Sequence, residues 1–285
     1  MPSADIQGHG PKNTIASGVH GVTRTTKRRI LEAIWPDEPF YVISHERSGT
    51  HFLINTVRRN TYVRHPLAKI AEWYGPYDDH STRFDHIDAL NARWPQLCKT
   101  AGMIKSHCDR PLFEARYRKA KVVYILRDPR DVMTSWFHYL NGDRSLDLVP
   151  PEAGDHHCES FSEFLRRPLS DWLRYSYSLH GDLANVAERW ADHVSGWITA
   201  PDTLIVSFRE LKGDYKAVVR KVARFIGLKP RFVQRPVGLR DARTVVPRKG
   251  IIGDWQTVFM PGDEAFLRSA VEKAGIEWHK VAGIE

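Results

Sequence analysis

The sequence lacks the features that define several large protein classes. Its 285 residues contain no run of about 18 apolar residues, so we expect no transmembrane helix. The first residues, MPSADIQGHGPKNT, include no apolar segment of the kind that a secretory signal needs. The three cysteines, Cys98, Cys108 and Cys158, are odd in number, widely spaced and form no CxxC motif. They disfavour a disulfide framework and a zinc ribbon, and they favour a reducing, cytoplasmic location.

Negative charge is also in short supply. The chain has 42 Lys and Arg against 34 Asp and Glu, a formal net charge of +8, while 42% of its residues are hydrophobic, as in ordinary globular proteins. A basic protein favours an anionic partner: nucleic acid, an acidic membrane, a nucleotide or a sulfated or phosphorylated substrate. Residues 1–30 contain five basic residues and one acidic residue, which is half of the net charge. We predict a flexible basic leader at 1–30 and a single domain at 31–285.

Apolar runs separated by amphipathic segments indicate the fold class. Four runs are predicted to be strands: Phe40–Ser44, Gly102–Lys105, Lys121–Leu126 and Thr203–Ser207. Helices are predicted at His51–Arg59, Asp131–Leu140, Tyr215–Ile226 and Asp263–Ala274. This alternation predicts an α/β fold with a central parallel β-sheet flanked by helices. Two polar stretches, Gly75–Gln96 and Asn141–Pro168, are predicted to be irregular insertions, either substrate loops or exposed decoration.

One short run contains the residue types that bind metals. Asp155–Glu159 reads Asp-His-His-Cys-Glu. Five adjacent residues cannot all face one ion, and no second cluster has the usual ligand spacing. We therefore predict a polar surface loop there and no metal site.

The loop after the first predicted strand has the composition of a phosphate-binding loop. Ser44–Phe52 (SHERSGTHF) leads from a strand into a helix, whose first N–H groups favour an anion. Gly49 permits close approach, Ser48 and Thr50 add hydroxyl donors, and Arg47 adds positive charge. The pattern GxxxxGK[ST] is absent from the chain, which argues against a standard ATP or GTP hydrolase. The loop is thus P-loop-like, although an ordinary strand–helix turn would use similar residues.

The loop after the third predicted strand is a second candidate anion site. Arg127 lies at the carboxyl end of that strand, where ligands bind in open α/β sheets. Ser135 follows eight positions later, about one turn into the predicted helix, so the two side chains could contact one anion. An Asp- and Pro-capped helix start with a solvated arginine would show the same pattern.

The third candidate lies near the C-terminus. Arg248–Trp255 reads RKGIIGDW, in which two adjacent cations precede a flexible glycine. Such a segment could close over a phosphate dianion, or it could be a solvated basic turn.

Together the three motifs resemble those of the PAPS-dependent sulfotransferases of the cytosolic, soluble type, where PAPS is 3′-phosphoadenosine 5′-phosphosulfate. The family's PKSGTTW loop is similar to HERSGTHF, and its Arg-x-Pro-x-Asp loop with a later serine is similar to Arg127–Ser135. Its RKGxxGDW signature is met in full at Arg248–Trp255, and Ile104–His107 is similar to its Lys-Thr-His element. The segment Trp190–Trp197 resembles another landmark. The resemblance covers about residues 40–270, in the order that the family has.

The resemblance implies a role for each matching residue. The 5′-phosphosulfate would be held by Arg47, Ser48, Gly49, Thr50 and His51, with Phe52 either stacked on the adenine or packed in the core. The 3′-phosphate would be held by Arg127, Ser135, Arg248, Lys249 and Gly250. His107 would be the general base that takes the proton of an acceptor hydroxyl as it attacks sulfur in line. Arg47 and Lys105, with Ser135, would neutralise charge on the sulfuryl and bridging oxygens, and no metal is needed.

The chain departs from the family pattern at several positions. Arg47 stands where the family's catalytic lysine usually lies, so the division of labour between Arg47 and Lys105 is open. The residues before Trp190 lack an aromatic, and no second adenine-stacking aromatic is evident between Pro230 and Arg248. Gln256–Ala265 does not match the family's dimerisation motif, so the oligomeric state is open.

We therefore predict a sulfotransferase of EC class 2.8.2 that moves a sulfuryl group from PAPS to an acceptor hydroxyl, on a small-molecule alcohol or phenol or on a glycan. No nucleic-acid partner and no membrane span are predicted. The alternatives are a nucleotide-dependent kinase on a similar sheet and a nucleic-acid-binding protein that uses the basic leader. The missing Walker lysine argues against the first, and the lack of an RNA-binding signature or zinc finger argues against the second. Aromatic residues such as Tyr77, Trp136 and Tyr139 could line an acceptor pocket or belong to the core.

Overall fold

Four short apolar segments form the parallel sheet at the centre of the fold. A computed structural model of the chain describes residues 40–61, 103–116, 121–141, 157–169, 183–231 and 250–283. Within these ranges the strands are β1 (Phe40–Ile43), β2 (Met103–Ser106), β3 (Val122–Leu126) and β4 (Thr203–Ser207). Neighbouring strands are parallel, in the order β2-β1-β3-β4. The predicted α/β fold with a central parallel sheet is confirmed.

Alternate residues of the strands face two separate hydrophobic cores. In β1, Phe40 and Val42 belong to one core, while Tyr41 and Ile43 belong to the other, and all four are at most 2% exposed. Both faces of a parallel sheet are covered by helices, so its strands are apolar throughout instead of alternating with polar residues. This explains why the apolar runs in the sequence located the strands so well.

Helices cover both faces of the sheet. In chain order they are α1 (Thr50–Asn60), α2 (Arg110–Arg116), α3 (Pro129–Leu140), α4 (Phe161–Arg166), α5 (Val186–Ile198), α6 (Phe208–Gly213), α7 (Tyr215–Ile226), α8 (Asp263–Lys273) and α9 (Trp278–Ala282). Buried residues of α1, α6 and α7 pack on the face of Phe40 and Val42, and those of α3, α5, α8 and α9 on the opposite face. A 3₁₀ turn spans Asp254–Thr257. Among these described elements, no helix has the length and apolar character needed to cross a bilayer.

The predicted boundaries differ from the observed ones in ways that capping explains. Helix α3 begins two residues earlier than predicted, because Pro129 occupies its first turn and the Asp128 carboxylate accepts the Arg130 backbone N–H. The stretch Asn141–Pro168 was predicted to be irregular, and this is wrong for its last part. Helix α4 forms there, with the Ser160 hydroxyl accepting the backbone N–H of Glu163. The leader 1–30, the insertion Gly75–Gln96 and Gly102 lie outside the described residues.

The strand order has a topological switch point between β1 and β3, and we call the carboxyl edge of the sheet at this point the crevice. After β1 the chain adds β2 on one side, and it later places β3 on the other side of β1. The loops that follow β1 and β3 therefore leave the sheet at a point where the direction of strand addition reverses. Ligands of open α/β sheets bind at such points.

Candidate active site

The loop between β1 and α1 has a backbone suited to an anion. Arg47 has φ 64° and Gly49 has φ 99°, both in the left-handed region. A Cβ on Gly49 would lie 2.5 Å from a ring carbon of Phe208, so this position requires glycine for space as well as for backbone conformation. Helix α1 has no acidic residue in its first turn and no side-chain cap from Gly49. Its first N–H groups are thus suited to a negatively charged ligand.

His107 follows β2 and faces the residues that end β1. Its Nδ1 lies 2.6 Å from the Ser44 carbonyl oxygen, which can only accept, so Nδ1 carries the proton. The same nitrogen is 3.3 Å from the Ser44 hydroxyl, which in turn lies 2.6 Å from the Thr50 hydroxyl. Burial, and then the nearby Lys105 ammonium, lower the pKa of His107 to about 3. The ring is therefore neutral, with its lone pair on Nε2.

A further side-chain contact of the site joins Lys105 of β2 to His51 of α1. The Lys105 Nζ lies 3.1 Å from the His51 Nε2. Burial is the main cause that lowers the pKa of Lys105 to about 8, and burial followed by Lys105 lowers the pKa of His51 to about 3. The contact thus joins an ammonium to a neutral imidazole.

Arg47, Arg127 and Ser135 bring the three sequence motifs together. The Arg47 Nε donates to the Ser135 hydroxyl at 3.3 Å, and the Arg47 guanidinium lies 4.7 Å from the centre of the Tyr139 ring. Arg127 donates from Nη1 to the Arg47 carbonyl at 3.0 Å and from Nη2 to the Ile251 carbonyl at 2.9 Å. A single buried guanidinium therefore links the loop after β1 to the RKGIIGDW segment. Sequence reasoning gave Arg127 only an anion-binding role.

Asp131 fixes the second half of the RKGIIGDW segment. Its buried carboxylate accepts the Gly253 backbone N–H at 3.1 Å to each oxygen and the Trp255 N–H at 3.4 Å. Gly250 lies just before this point, and its carbonyl accepts from the Lys212 Nζ at 2.7 Å. The predicted ligands Arg248 and Lys249 lie outside the described residues. The structure thus brings the described part of the segment to the crevice.

An ion pair joins Glu46 of the loop after β1 to Arg189 of α5, whose side chains are 15% and 2% exposed. The Arg189 Nη2 donates to both carboxylate oxygens of Glu46, at 3.1 and 2.9 Å, and the Arg189 Nη1 is 3.2 Å from the His45 Nε2. Burial alone would raise the pKa of Glu46, but the charge of Arg189 holds it below its usual range. The carboxylate is therefore ionised. Sequence reasoning missed this pair, because its members are 143 residues apart and neither has a recognisable local pattern.

His193 on α5 supports the backbone of His107. Its Nε2 is 3.2 Å from the His107 carbonyl oxygen and its Nδ1 is 3.0 Å from the Tyr124 hydroxyl. Burial lowers the pKa of His193, so the ring is neutral; because the carbonyl requires a donor, Nε2 carries the proton and the Tyr124 hydroxyl donates to Nδ1. Trp197, one turn further along α5, donates from its indole nitrogen to the Cys108 carbonyl at 3.0 Å. Hydrogen bonds from two side chains of α5 thus fix the backbone of the residues that follow β2.

The remaining predicted ligands have mixed surroundings. Ser48 and Thr50 are almost fully buried in the loop. Phe52 packs against Phe208, with ring centres 5.8 Å apart, and borders the core between α1 and the sheet. In the ranges that the structure covers, no group of three potential metal ligands converges. His157 there is exposed, whereas Cys158 is buried.

The parallel sheet, the glycine-containing loop and the cations around a neutral histidine define an α/β protein with a crevice suited to an anion. A sequence model described as a sulfotransferase domain matches residues 37–279 of the 285. The chain belongs to the sulfotransferase family. The enzyme class predicted from the sequence, a PAPS-dependent sulfotransferase, is thereby confirmed.

Individual relatives are distant in sequence. The chain is 26% identical to sulfotransferase 2A1 of Macaca fascicularis over 287 residues, with 89% of this chain and 90% of the relative covered. It is 23% identical to sulfotransferase 2B1 of Mus musculus, with coverage of 81% and 69%. Among solved structures it is similar to mouse SULT7A1 in complex with PAP, with TM-score 0.55, 17% identity, and coverage of 88% of this chain and 92% of that one. At this identity the structural likeness shows the fold.

Proposed function

We propose that the protein transfers the sulfuryl group of PAPS to a hydroxyl group of an acceptor, with His107 as the general base. The observation that carries this proposal is the contact between the His107 Nδ1 and the Ser44 carbonyl oxygen. It fixes the tautomer that leaves the lone pair of Nε2 for an acceptor proton. The family assignment supports sulfuryl transfer over phosphoryl transfer and over nucleic-acid binding.

The residues around the crevice suit a cosubstrate with a 5′-phosphosulfate and a 3′-phosphate. Arg47, with Ser48, Gly49, Thr50 and His51 of the same loop, would hold the phosphosulfate. Arg127, with Ser135, Gly250 and the predicted ligands Arg248 and Lys249, would hold the 3′-phosphate. The cations Arg47, Lys105 and Arg127 meet the anionic charge of such a molecule, and the 17%-identical mouse relative was solved with PAP, the desulfated nucleotide.

The reaction is a displacement at sulfur. The acceptor oxygen forms a bond to sulfur, while the bond from sulfur to the bridging oxygen breaks and its electron pair stays on the phosphate of PAP. The acceptor proton passes to the Nε2 of His107. Anionic charge from the bound nucleotide favours the protonated imidazole, so it raises the pKa of His107 from the low value that burial imposes. Arg47 and Lys105 neutralise the oxygens on which charge develops.

Calorimetry and kinetics test this function together. We expect the wild-type protein to bind PAP and to transfer labelled sulfate from PAPS to a member of an acceptor panel of phenols, steroid-type alcohols and glycans. His107→Ala should lower kcat by about 10²- to 10⁴-fold, because the proton acceptor is lost, while the Kd for PAP changes little. The exposed His138 on α3 provides the control variant His138→Ala, which should retain full activity.

Two results would contradict the proposal. Failure of the wild-type protein to bind either PAPS or PAP would remove the cosubstrate, and full turnover by His107→Ala would remove the base. The acceptor class, the cytoplasmic location and the division into a leader at 1–30 and a domain at 31–285 stay predictions.

A further inference from the structure

The pairing of β1 with β2 places Lys105 on the same side of the sheet as α1. Lys105 is the ladder partner of Val42, and paired residues of neighbouring strands point to the same face. Val42 belongs to the core that α1 covers, together with Leu53 and Ile54 of that helix. His51 is the second residue of α1, at the end nearest the loop. The fold therefore brings the side chains of Lys105 and His51 to one point.

The contact has a defined direction. An ammonium can only donate, so at 3.1 Å the His51 Nε2 must accept from the Lys105 Nζ. The His51 ring is then neutral and carries its proton on Nδ1. Burial and the neighbouring cations, Lys105 before Arg47, lower the pKa of His51 to about 3, which agrees with this tautomer. His51 offers the lysine an acceptor and keeps a neutral N–H donor on its other nitrogen.

The second cation of the loop is held on a different element. Arg47 donates from Nε to Ser135 and lies over the ring of Tyr139, and both of these partners belong to α3. Lys105 on β2 and Arg47 beside α3 thus have separate partners. A guanidinium fixed in this way differs from a compact ammonium, which can approach one oxygen closely. Of the two cations, Lys105 has the chemistry suited to a single leaving oxygen.

The charge of Lys105 depends on its burial and on the titratable groups around it, which are Glu46, Arg47, His51 and His107. The ionised Glu46 favours the ammonium, whereas Arg47 disfavours it, and His51 and His107 are neutral. Burial is the largest influence and is the main reason why the pKa of Lys105 is lowered to about 8. The ammonium is present at neutral pH and is lost at mildly alkaline pH.

We infer that His51 is a positioning residue that holds the Lys105 ammonium where the bridging oxygen of the phosphosulfate departs. The inference rests on the proposed function and deepens it, because it assigns the leaving-group cation to Lys105 and gives that cation a partner. As the bond from sulfur to the bridging oxygen breaks, the electron pair on that oxygen is stabilised by the N–H of Lys105. No proton has to leave the lysine, and His107 receives the proton of the acceptor.

Two variants of similar size separate positioning from packing. His51→Asn retains a carbonyl oxygen that can accept from Lys105, whereas His51→Leu fills the space without an acceptor. We expect His51→Leu to lower kcat by about tenfold or more, the value of one hydrogen bond in the transition state, when kcat is measured at saturating PAPS so that any loss of nucleotide affinity does not contribute. His51→Asn should recover most of this loss. Lys105→Arg should remove the alkaline decline near pH 8 of kcat/KM for PAPS, which reports the nucleotide-free enzyme, because arginine stays protonated.

A second measurement needs no turnover. In protein labelled with ¹⁵N-histidine, the His51 ring, assigned as the signal lost in His51→Asn, should show an unprotonated Nε2 and a protonated Nδ1. Lys105→Met should raise the pKa of His51, because the adjacent cation is removed. Wild-type kcat in His51→Leu, or a His51 signal that Lys105→Met leaves unchanged, would overturn the inference. Failure of wild-type PAP binding would instead reject the proposed function, since the ¹⁵N measurement is made without nucleotide.

Discussion

At the scale of single residues, two positions of the loop after β1 have a positive φ, one occupied by glycine and the other by arginine. Gly49 adopts φ 99° without strain and leaves room for the Phe208 ring. Arg47 adopts φ 64° although it has a Cβ, which costs about 1–2 kcal/mol. Its carbonyl is held by the Arg127 guanidinium at 3.0 Å, so the strained residue is fixed from a neighbouring strand. The conformation that presents the loop to an anion thus depends on Arg127 as well as on glycine.

Gly49→Ala should destabilise the protein both by a steric clash and by backbone strain. A substitution at Gly227, where only the strain applies, distinguishes the two effects. At Gly49 the added methyl group would meet the Phe208 ring and would also strain the positive φ. At Gly227, φ is +81° and an added methyl group would meet no atom within 4 Å, so Gly227→Ala carries the strain alone, about 1 kcal/mol. We expect Gly49→Ala to lower the free energy of unfolding by more than Gly227→Ala, and to weaken PAP binding at least tenfold.

Urea denaturation and calorimetry of the two variants measure these effects. Gly227 ends α7, away from the loop, so its variant should bind PAP as the wild-type protein does. Equal losses of stability together with equal PAP affinities would show that contact with Phe208 does not determine the shape of the loop.

At the scale of secondary-structure elements, the sequence predicted those segments whose pattern is local. Strand β4 and helix α7 were predicted to the residue, since a continuous apolar run and an apolar face repeated at helical spacing need no knowledge of their neighbours. Helix α4 was missed because six residues are too few to establish a period, although the Ser160 cap precedes it. Local pattern thus suffices for long elements and for buried strands.

The candidate site likewise contains residues that local motifs predict and residues that only the folded structure reveals. Motifs within one loop located Arg47, Arg127 and His107, because each lies at the carboxyl end of a strand that the sequence predicts. The supports of that site come from residues distant in the chain, such as Arg189 under Glu46 and His193 under His107. Burial and distance determine those pairs, and neither is visible before the chain has folded.

The ion pair between α5 and the loop provides a test at this scale. Arg189 is almost fully buried and donates twice to Glu46, so Arg189→Met would leave the carboxylate of Glu46, which is only 15% exposed, without this partner. We expect this single variant to lose about 3–5 kcal/mol of unfolding free energy. The double variant Glu46→Leu with Arg189→Met should recover much of the loss, because no buried charge remains. The pair Arg110–Glu114 is the control: Glu114 is 59% exposed, so Glu114→Ala should cost less than about 1 kcal/mol.

Equilibrium unfolding in urea measures all four proteins. If the double variant is no more stable than Arg189→Met, the pair stabilises the fold by packing and not through its charges. Activity adds a further distinction: a double variant that folds but turns over slowly would show that the pair also orients the loop.

At the scale of the whole molecule, several buried histidines surround the crevice in neutral form. His45 and His193 are at most 1% exposed, and burial lowers the pKa of His45 to about 4 and that of His193 well below its ordinary value. His51 and His107 are shifted in the same direction. His45 and His51 each accept a hydrogen bond from a cation, which requires the neutral ring, and the lowered pKa values keep His107 and His193 neutral as well. The site and the surrounding fold therefore share one protonation state.

This shared state predicts that the fold is destabilised by mild acid. Below pH 6.5 the unfolded chain protonates these histidines while the folded protein does not, so the unfolded state binds more protons and stability falls as the pH falls from 6.5 toward 4. Each ring that stays neutral contributes a slope of up to about 1.4 kcal/mol per pH unit.

Urea denaturation at several values between pH 7.5 and 5 gives this slope directly. His45→Phe should make the slope shallower by about one proton, whatever its effect on absolute stability. A wild-type stability that is constant across this range would mean that the rings accept protons within the folded protein, and the fixed tautomer on which His107 depends would then not persist in acid.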